Sequence, residues 1–294
     1  MKFTNKKDGI TLALILITFY AWFTLLCYFN QLPFFILMPV AAIVIAFHGS
    51  LQHELIHNHP FKNQKLNDFL GHITPIPWLP YALYKISHMD HHSCPQYSHP
   101  EYDPETFLVS KKVYDQFSKP VKKIFDYNQT LLGRLILGPF ISMYWIIKKE
   151  LKFLLKGDFQ NLKLFIPHYI VWFFFAILFQ ILGISLIEYI IFMAIPGYSV
   201  ILIRSFLEHR PETIRTHQTC IVEAGPFFSF LFLNNNLHLV HHNDMNLPWY
   251  EIPRAYQKQK EHWLNLNGHY FFKGYREVFR QHLLSPTSKA WVEV

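Results

Sequence analysis

Long apolar runs alternate with polar, basic stretches along this chain. The run 10–29 contains no charged residue, and a second run, 33–51, follows the short break 30–32. A third run covers 164–182 and a fourth covers 185–206. A membrane-spanning helix needs about 20 mostly apolar residues. The pattern therefore predicts four spanning helices arranged as two helical hairpins with almost no outer loops.

The basic residues predict the orientation of these hairpins. No Lys or Arg occurs from 8 through 61 or from 164 through 203, so all 27 basic residues lie outside the hairpins or at their ends. Positive charge is retained on the cytoplasmic side of a membrane. Both hairpins are therefore expected to start and end in the cytoplasm, with both termini on that side.

Three weaker apolar stretches are predicted not to cross the membrane. Three prolines make 69–84 an irregular interfacial segment, and 226–233 is too short to span. The stretch 131–147 is interrupted by Arg134 and Pro139 and reads as a helix lying in the interface.

These predictions together define the fold class. We expect an all-α integral membrane protein, a single domain over 1–294, with four transmembrane helices, interfacial helices and a cytoplasmic cap. The hairpins cover about 10–51 and 164–206, and the cytoplasmic regions about 52–163 and 207–294.

Composition supports a membrane protein and excludes two other classes. Hydrophobic residues make up 51% and charged residues 16%, against about a quarter charged in soluble domains. The net charge of +7 does not indicate nucleic-acid binding, because the basic residues form no binding stripe. The 3 cysteines show neither CxxC spacing nor even pairing, so no disulfide framework or thiolate zinc site is expected.

Eight of the 18 histidines fall into three compact groups, which we call the histidine boxes. They are His53 and His57; His88, His91 and His92; and His238, His241 and His242. Residues three and four apart share one face of a helix, so each box directs its imidazoles to one point. Imidazole is a good ligand for Fe, Zn and Cu. Eight ligands exceed the needs of one tetrahedral zinc and suffice for two metals with open positions.

His209, just past the fourth helix, is a ninth candidate ligand. Its position at the cytoplasmic helix end would bring it to the same face as the first box. The alternative role is a histidine that interacts with the helix dipole.

The ordered set HxxxH, HxxHH, HxxHH on two hairpins resembles the membrane fatty acid desaturase and hydroxylase superfamily. The resemblance implies a di-iron centre with two Fe ions that uses O₂ and two electrons from a ferredoxin, rubredoxin or cytochrome b5-type donor. It implies a fatty acyl or lipid-like substrate, desaturated or, alternatively, hydroxylated. It also implies metal binding by the box histidines and His209. The runs 102–105 and 232–238 further resemble a bacterial subgroup with a dihydrorhizobitoxine desaturase-like branch, which predicts a bacterial inner membrane and leaves the substrate open.

Several polar residues are candidates to support the ligands. Glu54 and Asp90 lie inside boxes, and Glu208 precedes His209. Each carboxylate could accept a hydrogen bond from the second ring nitrogen of a ligand histidine. Relatives place a water-holding Asn four residues before the extra histidine. Ser205 occupies that position here, and Asn234 is the other candidate for the role.

Two other classes of protein compete with an oxidase. The first box also fits the zinc-protease pattern HExxH, with Glu54 as general base. That pattern leaves the other two boxes unexplained. A metal transporter is less favoured, because its site would lie near the membrane midplane on broken helices.

Overall fold

The computed structural model describes residues 3–157, 159 and 162–294. The longer helices are α1 Gly9–Cys27, α2 Phe34–Ile56, α3 Gln64–His72, α4 Tyr81–Ser93, α5 Lys111–Asp115, α6 Lys119–Tyr127, α7 Leu131–Leu155 and α8 Leu162–Leu182. They are followed by α9 Leu186–Tyr189, α10 Ile195–Glu208, α11 Pro226–Leu231, α12 His238–Asn243, α13 Ile252–Lys258, α14 Lys260–Leu266 and α15 Tyr275–His282. A π-helical turn, Ile190–Ala194, joins α9 to α10, and 3₁₀ turns cover Lys6–Asp8 and Arg215–Gln218. The strands are short: β1 Val109–Ser110, β2 Ile221–Val222, β3 Phe271–Phe272 and β4 Trp291–Val292.

The chain is mainly helical and, within the described residues, carries five helices long and apolar enough to cross a membrane. They are Lys6–Cys27, Phe34–Ile56, Leu131–Leu155, Leu162–Leu182 and Leu186–Glu208. Four of these match the predicted spans, and the second runs past its predicted end at residue 51. The additional one, Leu131–Leu155, was predicted to be interfacial, yet its length and composition also qualify it as a span.

The outer side chains of the apolar helices support a membrane location. On α8, Phe173 is 62% exposed and Ile181 is 75% exposed. Large exposed apolar surfaces of this kind mark contact with lipid or a partner. We therefore treat the chain as an integral membrane protein.

The described chain divides into two compact units. The first unit comprises Met1–Lys85 and Phe140–Ile201, and the second comprises Ile86–Pro139 and Leu202–Val294. In the first unit, a Cβ added to Gly197 would lie 2.4 Å from the Ile45 side chain. Small residues let membrane helices approach closely, so glycine at this position permits the observed packing of α2.

Polar side chains of the first unit hold a proline-rich segment between α3 and α4. The phenol of Tyr189 donates to the Pro75 carbonyl at 2.7 Å. Nε2 of His48 bonds the Ile73 carbonyl at 3.0 Å. Buried carbonyl groups need such partners. The irregular part covers residues 73–80, shorter than the predicted 69–84, because α3 and α4 extend into that range.

In the second unit, a small apolar core positions the third box. Leu239 and Val240 of α12 are buried in a cluster with Ile252, Tyr256 and Trp263. Each such buried side chain stabilises the fold by roughly 1.5–3 kcal/mol. This packing fixes the rotation of α12 about its axis. The box histidines on the same short helix are thereby held in one orientation.

Candidate metal centre

The second unit brings seven of the nine predicted histidines together. The second box lies on α4, where His88 and His91 are each 2% exposed. The third box lies on α12, and His209 follows α10 in an isolated bridge with Thr219. The helical spacing expected for both HxxHH boxes is therefore present.

Four of these histidines form one group. Their ligand nitrogens all lie within 4.8 Å of one another, and the members are His91, His209, His238 and His242. Nε2 of His209 lies 3.0 Å from Nε2 of His91 and 3.1 Å from Nε2 of His238. Nε2 of His242 lies 3.0 Å from Nε2 of His238. The four Nε2 atoms thus converge on one point.

The remaining three form a second group. Nε2 of His92 lies 3.1 Å from Nε2 of His88 and 3.1 Å from Nε2 of His241. The neighbours His91 and His92 therefore direct their rings into different groups, although they are adjacent on α4. The second box supplies ligands to both.

The opposite ring nitrogen, Nδ1, of each of five ligands has a partner of its own. The Nδ1 atoms lie 2.8 Å from Asp103 for His91, 3.2 Å from Glu105 for His88, 3.1 Å from Asn235 for His238, 2.9 Å from Tyr97 for His242 and 3.4 Å from Thr219 for His209. When Nδ1–H donates to such an acceptor, the proton is fixed there and Nε2 keeps its lone pair. In these five rings, Nδ1–H donation would leave Nε2 as the acceptor.

The charge state of the rings supports this assignment. Burial and neighbouring histidines hold the pKa of His209, His238 and His242 well below the usual range. Burial also lowers the pKa of His91, but its hydrogen bond to Asp103 outweighs this and raises the pKa overall. A carboxylate partner of this kind makes an imidazole a more basic ligand.

The facing ring nitrogens lie 3.0–3.1 Å apart, and the histidines of both groups are close enough to hold a metal ion.

The first box lies in the first unit. His53 is on α2, and His57 caps its C-terminal end. Their ring centroids are 4.7 Å apart, and both side chains are buried. The extension of α2 to Ile56 places His53 on the helix, as the i, i+4 spacing requires.

The carboxylates of Glu208 and Glu54, which were predicted to contact ligand histidines, lie in different surroundings. Glu208 lies 3.5 Å from Nδ1 of His238 and 2.8 Å from Nε of Arg204. Glu54 lies 4.0 Å from Nδ1 of His53 but 3.3 Å from Nδ1 of His59. Glu208 thus lies beside His238, whose Nδ1 already has Asn235 as its hydrogen-bond partner, whereas Glu54 mainly engages His59.

Two other predicted supports do not contact a box histidine in the part of the chain that is described. Asp90 is exposed on α4. Asn234 has a positive φ and donates to the Trp249 carbonyl at 3.0 Å, so it serves a turn. The asparagine that contacts a ligand is its neighbour Asn235.

Sequence reasoning missed Asp103, Glu105, Asn235 and Tyr97 as partners of the ligands. One signal was present, because Asp103 and Glu105 belong to the run 102–105 that carries the resemblance to the bacterial subgroup. A third set of potential metal ligands, His91, Cys94 and Asp103, is explained by the same contacts. Asp103 is engaged by His91, and burial raises the pKa of the Cys94 thiol to about 11.

A cavity of about 70 Å³ opens beside the four-histidine group. Its lining includes His91, His209, Arg134, Ser205 and Phe206. The hydroxyl of Ser205 is buried and has no hydrogen-bond partner among the described residues. The cavity therefore presents a free polar group close to two ligands.

The chain thus combines helices long and apolar enough to span a membrane with clustered histidines that could hold a metal. The model of the family described as fatty acid desaturase matches residues 30–274 of the 294. The chain belongs to the fatty acid desaturase family, a family of membrane oxidoreductases that typically depend on iron. No curated protein and no solved structure matched the chain.

Proposed function

We propose that the protein is an O₂-dependent di-iron oxidoreductase that introduces a double bond into a fatty acyl or lipid-like chain. The observation that carries this proposal is the convergence of Nε2 lone pairs into two groups within a chain of the fatty acid desaturase family. The eight box histidines and His209 exceed the needs of one tetrahedral zinc, which supports a pair of metals.

The first box completes the ligand set in this proposal. His53 and His57 would supply the remaining ligands to the metal pair, beside the seven histidines of the second unit. This assignment rests on the order of the boxes and on the family. Two irons would supply O₂ reduction and hydrogen removal from an unactivated alkyl carbon, chemistry that side chains cannot perform.

The protein's own residues would then bind, orient and shield. Asp103 and Asn235 keep protons on Nδ1 of their histidines, which presents Nε2 to the metals. Ser205 would hold a water beside His209, the role that Asn has in relatives. Its free hydroxyl in the cavity supports this assignment over Asn234.

The zinc-protease alternative is weakened by the surroundings of Glu54. A general base must reach the metal-bound water, but Glu54 lies near His59, which also contacts Asp8 at 2.6 Å. Hydroxylation remains the alternative within the family. Desaturation and hydroxylation both begin by removing one hydrogen, and placement of the substrate decides between them.

We further propose four spans with both termini in the cytoplasm of a bacterial inner membrane. In this arrangement α7 lies in the interface, because Lys148, Lys149 and Lys152 crowd its C-terminal half and Arg134 its start. A reporter domain that is active only in the cytoplasm should be active when fused to the C-terminus, and one that is active only in the periplasm should be inactive there. Activity of a periplasmic reporter there would contradict the arrangement.

The product identifies the reaction. Cells that express the protein with added iron and a ferredoxin, rubredoxin or cytochrome b5-type donor should accumulate a lipid that is lighter by two hydrogens. Mass spectrometry of total lipids measures this change, and cells expressing the His91→Ala variant provide the control. A product heavier by one oxygen would assign hydroxylation instead. An unchanged lipid profile from iron-loaded protein would contradict the proposed substrate class.

A further inference from the structure

Tyr97 differs chemically from the other side chains that hold the ligand histidines. Asp103, Glu105, Asn235 and Thr219 each contact one ligand ring through an oxygen atom. The Tyr97 hydroxyl hydrogen-bonds Nδ1 of His242 at 2.9 Å, and its ring also stacks on His209. The Tyr97 and His209 centroids are 4.3 Å apart, with an interplanar angle of 28°. One aromatic ring therefore contacts two ligands of the four-histidine group.

Arg215 connects this buried ring with the surface. Tyr97 is 4% exposed, whereas Arg215 is exposed. Nη2 of Arg215 donates to the Tyr97 hydroxyl at 2.6 Å and to the His92 carbonyl at 3.1 Å. Its guanidinium carbon also lies 4.6 Å from the centre of the Tyr97 ring. A surface cation thus touches a partner of one histidine group and the backbone of a ligand in the other.

Orientation of His242 alone would not require this arrangement. A carboxylate or amide fixes Nδ1 equally well, as it does for His91 and His238. The stacked phenol of Tyr97 adds a chain of short contacts, which runs from the exposed Arg215 through Tyr97 to His209 and His242. Beside Arg215, Ile214 is 52% exposed and offers an apolar contact to a partner.

We infer that Arg215 and Tyr97 form the electron entry site, where an acidic one-electron donor protein docks and passes electrons to the metal pair. The inference rests on the proposed function. Each transfer oxidises the donor by one electron and reduces the metal pair by one, and no bond to Tyr97 forms or breaks. Two transfers and two protons from water, with the two hydrogens removed from the substrate, convert O₂ to two waters.

The test compares two reductants on the iron-loaded, full-length protein in detergent. Reduction of the ferric protein is followed anaerobically by stopped flow with a reduced acidic [2Fe–2S] ferredoxin and, separately, with dithionite. In Tyr97→Phe and Arg215→Gln, the ratio of the ferredoxin rate to the dithionite rate should fall about tenfold at low salt, because steering and contact at the docking site are lost. Arg276→Gln, which removes the same charge from an exposed position on α15, should leave the ratio unchanged.

The outcomes separate the two proposals. Equal slowing with both reductants would reduce Tyr97 to a positioning residue, and an unchanged ratio in both variants would overturn the entry site. If Tyr97→Phe loses iron, the test rests on Arg215→Gln. Its ratio of ferredoxin rate to dithionite rate, measured at several ionic strengths, then decides whether the entry site exists. A wild-type protein that binds no iron would contradict the proposed function itself, before any question of electron entry.

Discussion

Replacing His91 with alanine should abolish oxidation, and so should replacing His241 or His57. Nε2 of His91 lies 3.0 Å from Nε2 of His209 in the four-histidine group, and Nε2 of His241 lies 3.1 Å from Nε2 of His92 in the other. The His91 and His241 changes each remove one ligand from one group and leave the other group whole, and the His57 change removes a proposed ligand of the first box. Iron content should therefore fall from about two to about one per chain, with product below detection.

The matched control is His262→Ala, because His262 is exposed on α14 and lies outside both groups. It should keep normal iron content and activity. All variants should insert into the membrane at wild-type levels, since the replaced histidines lie outside the candidate spanning helices. Full activity in two of the three ligand variants would end the proposal.

The second large effect is expected for Asp103→Asn. The Asp103 carboxylate accepts from Nδ1 of His91 at 2.8 Å and raises the pKa of that ring. It also accepts from the backbone N–H of Ser98 and of Glu105. Asparagine keeps the shape and one acceptor oxygen but loses the charge. Removing a partner of a metal ligand typically costs about 10–100-fold in metal affinity or activity.

Iron titration of the apo-protein and turnover measure this effect. Asp115→Asn is the control, because Asp115 is an exposed carboxylate that pairs with Lys111 on α5. Wild-type affinity and turnover in Asp103→Asn would show that the carboxylate serves the 98–105 loop and not the metal.

The boxes could be predicted from sequence because helical periodicity alone places them. The HxxHH spacings give one-sided clusters on α4 and α12, and the apolar runs give the spanning helices. The division into two groups could not be predicted. His91 and His92 are adjacent, and only the packing of α4 against its neighbours decides which ring joins which group.

The supporting residues were harder to predict for a related reason. Asn234 was chosen because it lies four residues before His238, which assumes that the helix extends backwards. Instead α12 begins at His238, and the positive φ of Leu233 and Asn234 turns the chain there. Asn235 consequently faces the ligand. Asp103 and Tyr97 reach their histidines through loop geometry, which carries no periodic signal in sequence.

The box histidines and His209 are proposed to bind two irons. The direct measurement is the metal content of the purified wild-type protein, expressed with iron supplied because availability can let zinc occupy a histidine site. About two irons per chain, with a Mössbauer spectrum of coupled high-spin iron, is the predicted result. A single zinc per chain under the same conditions, with cleavage of a membrane peptide, would contradict it.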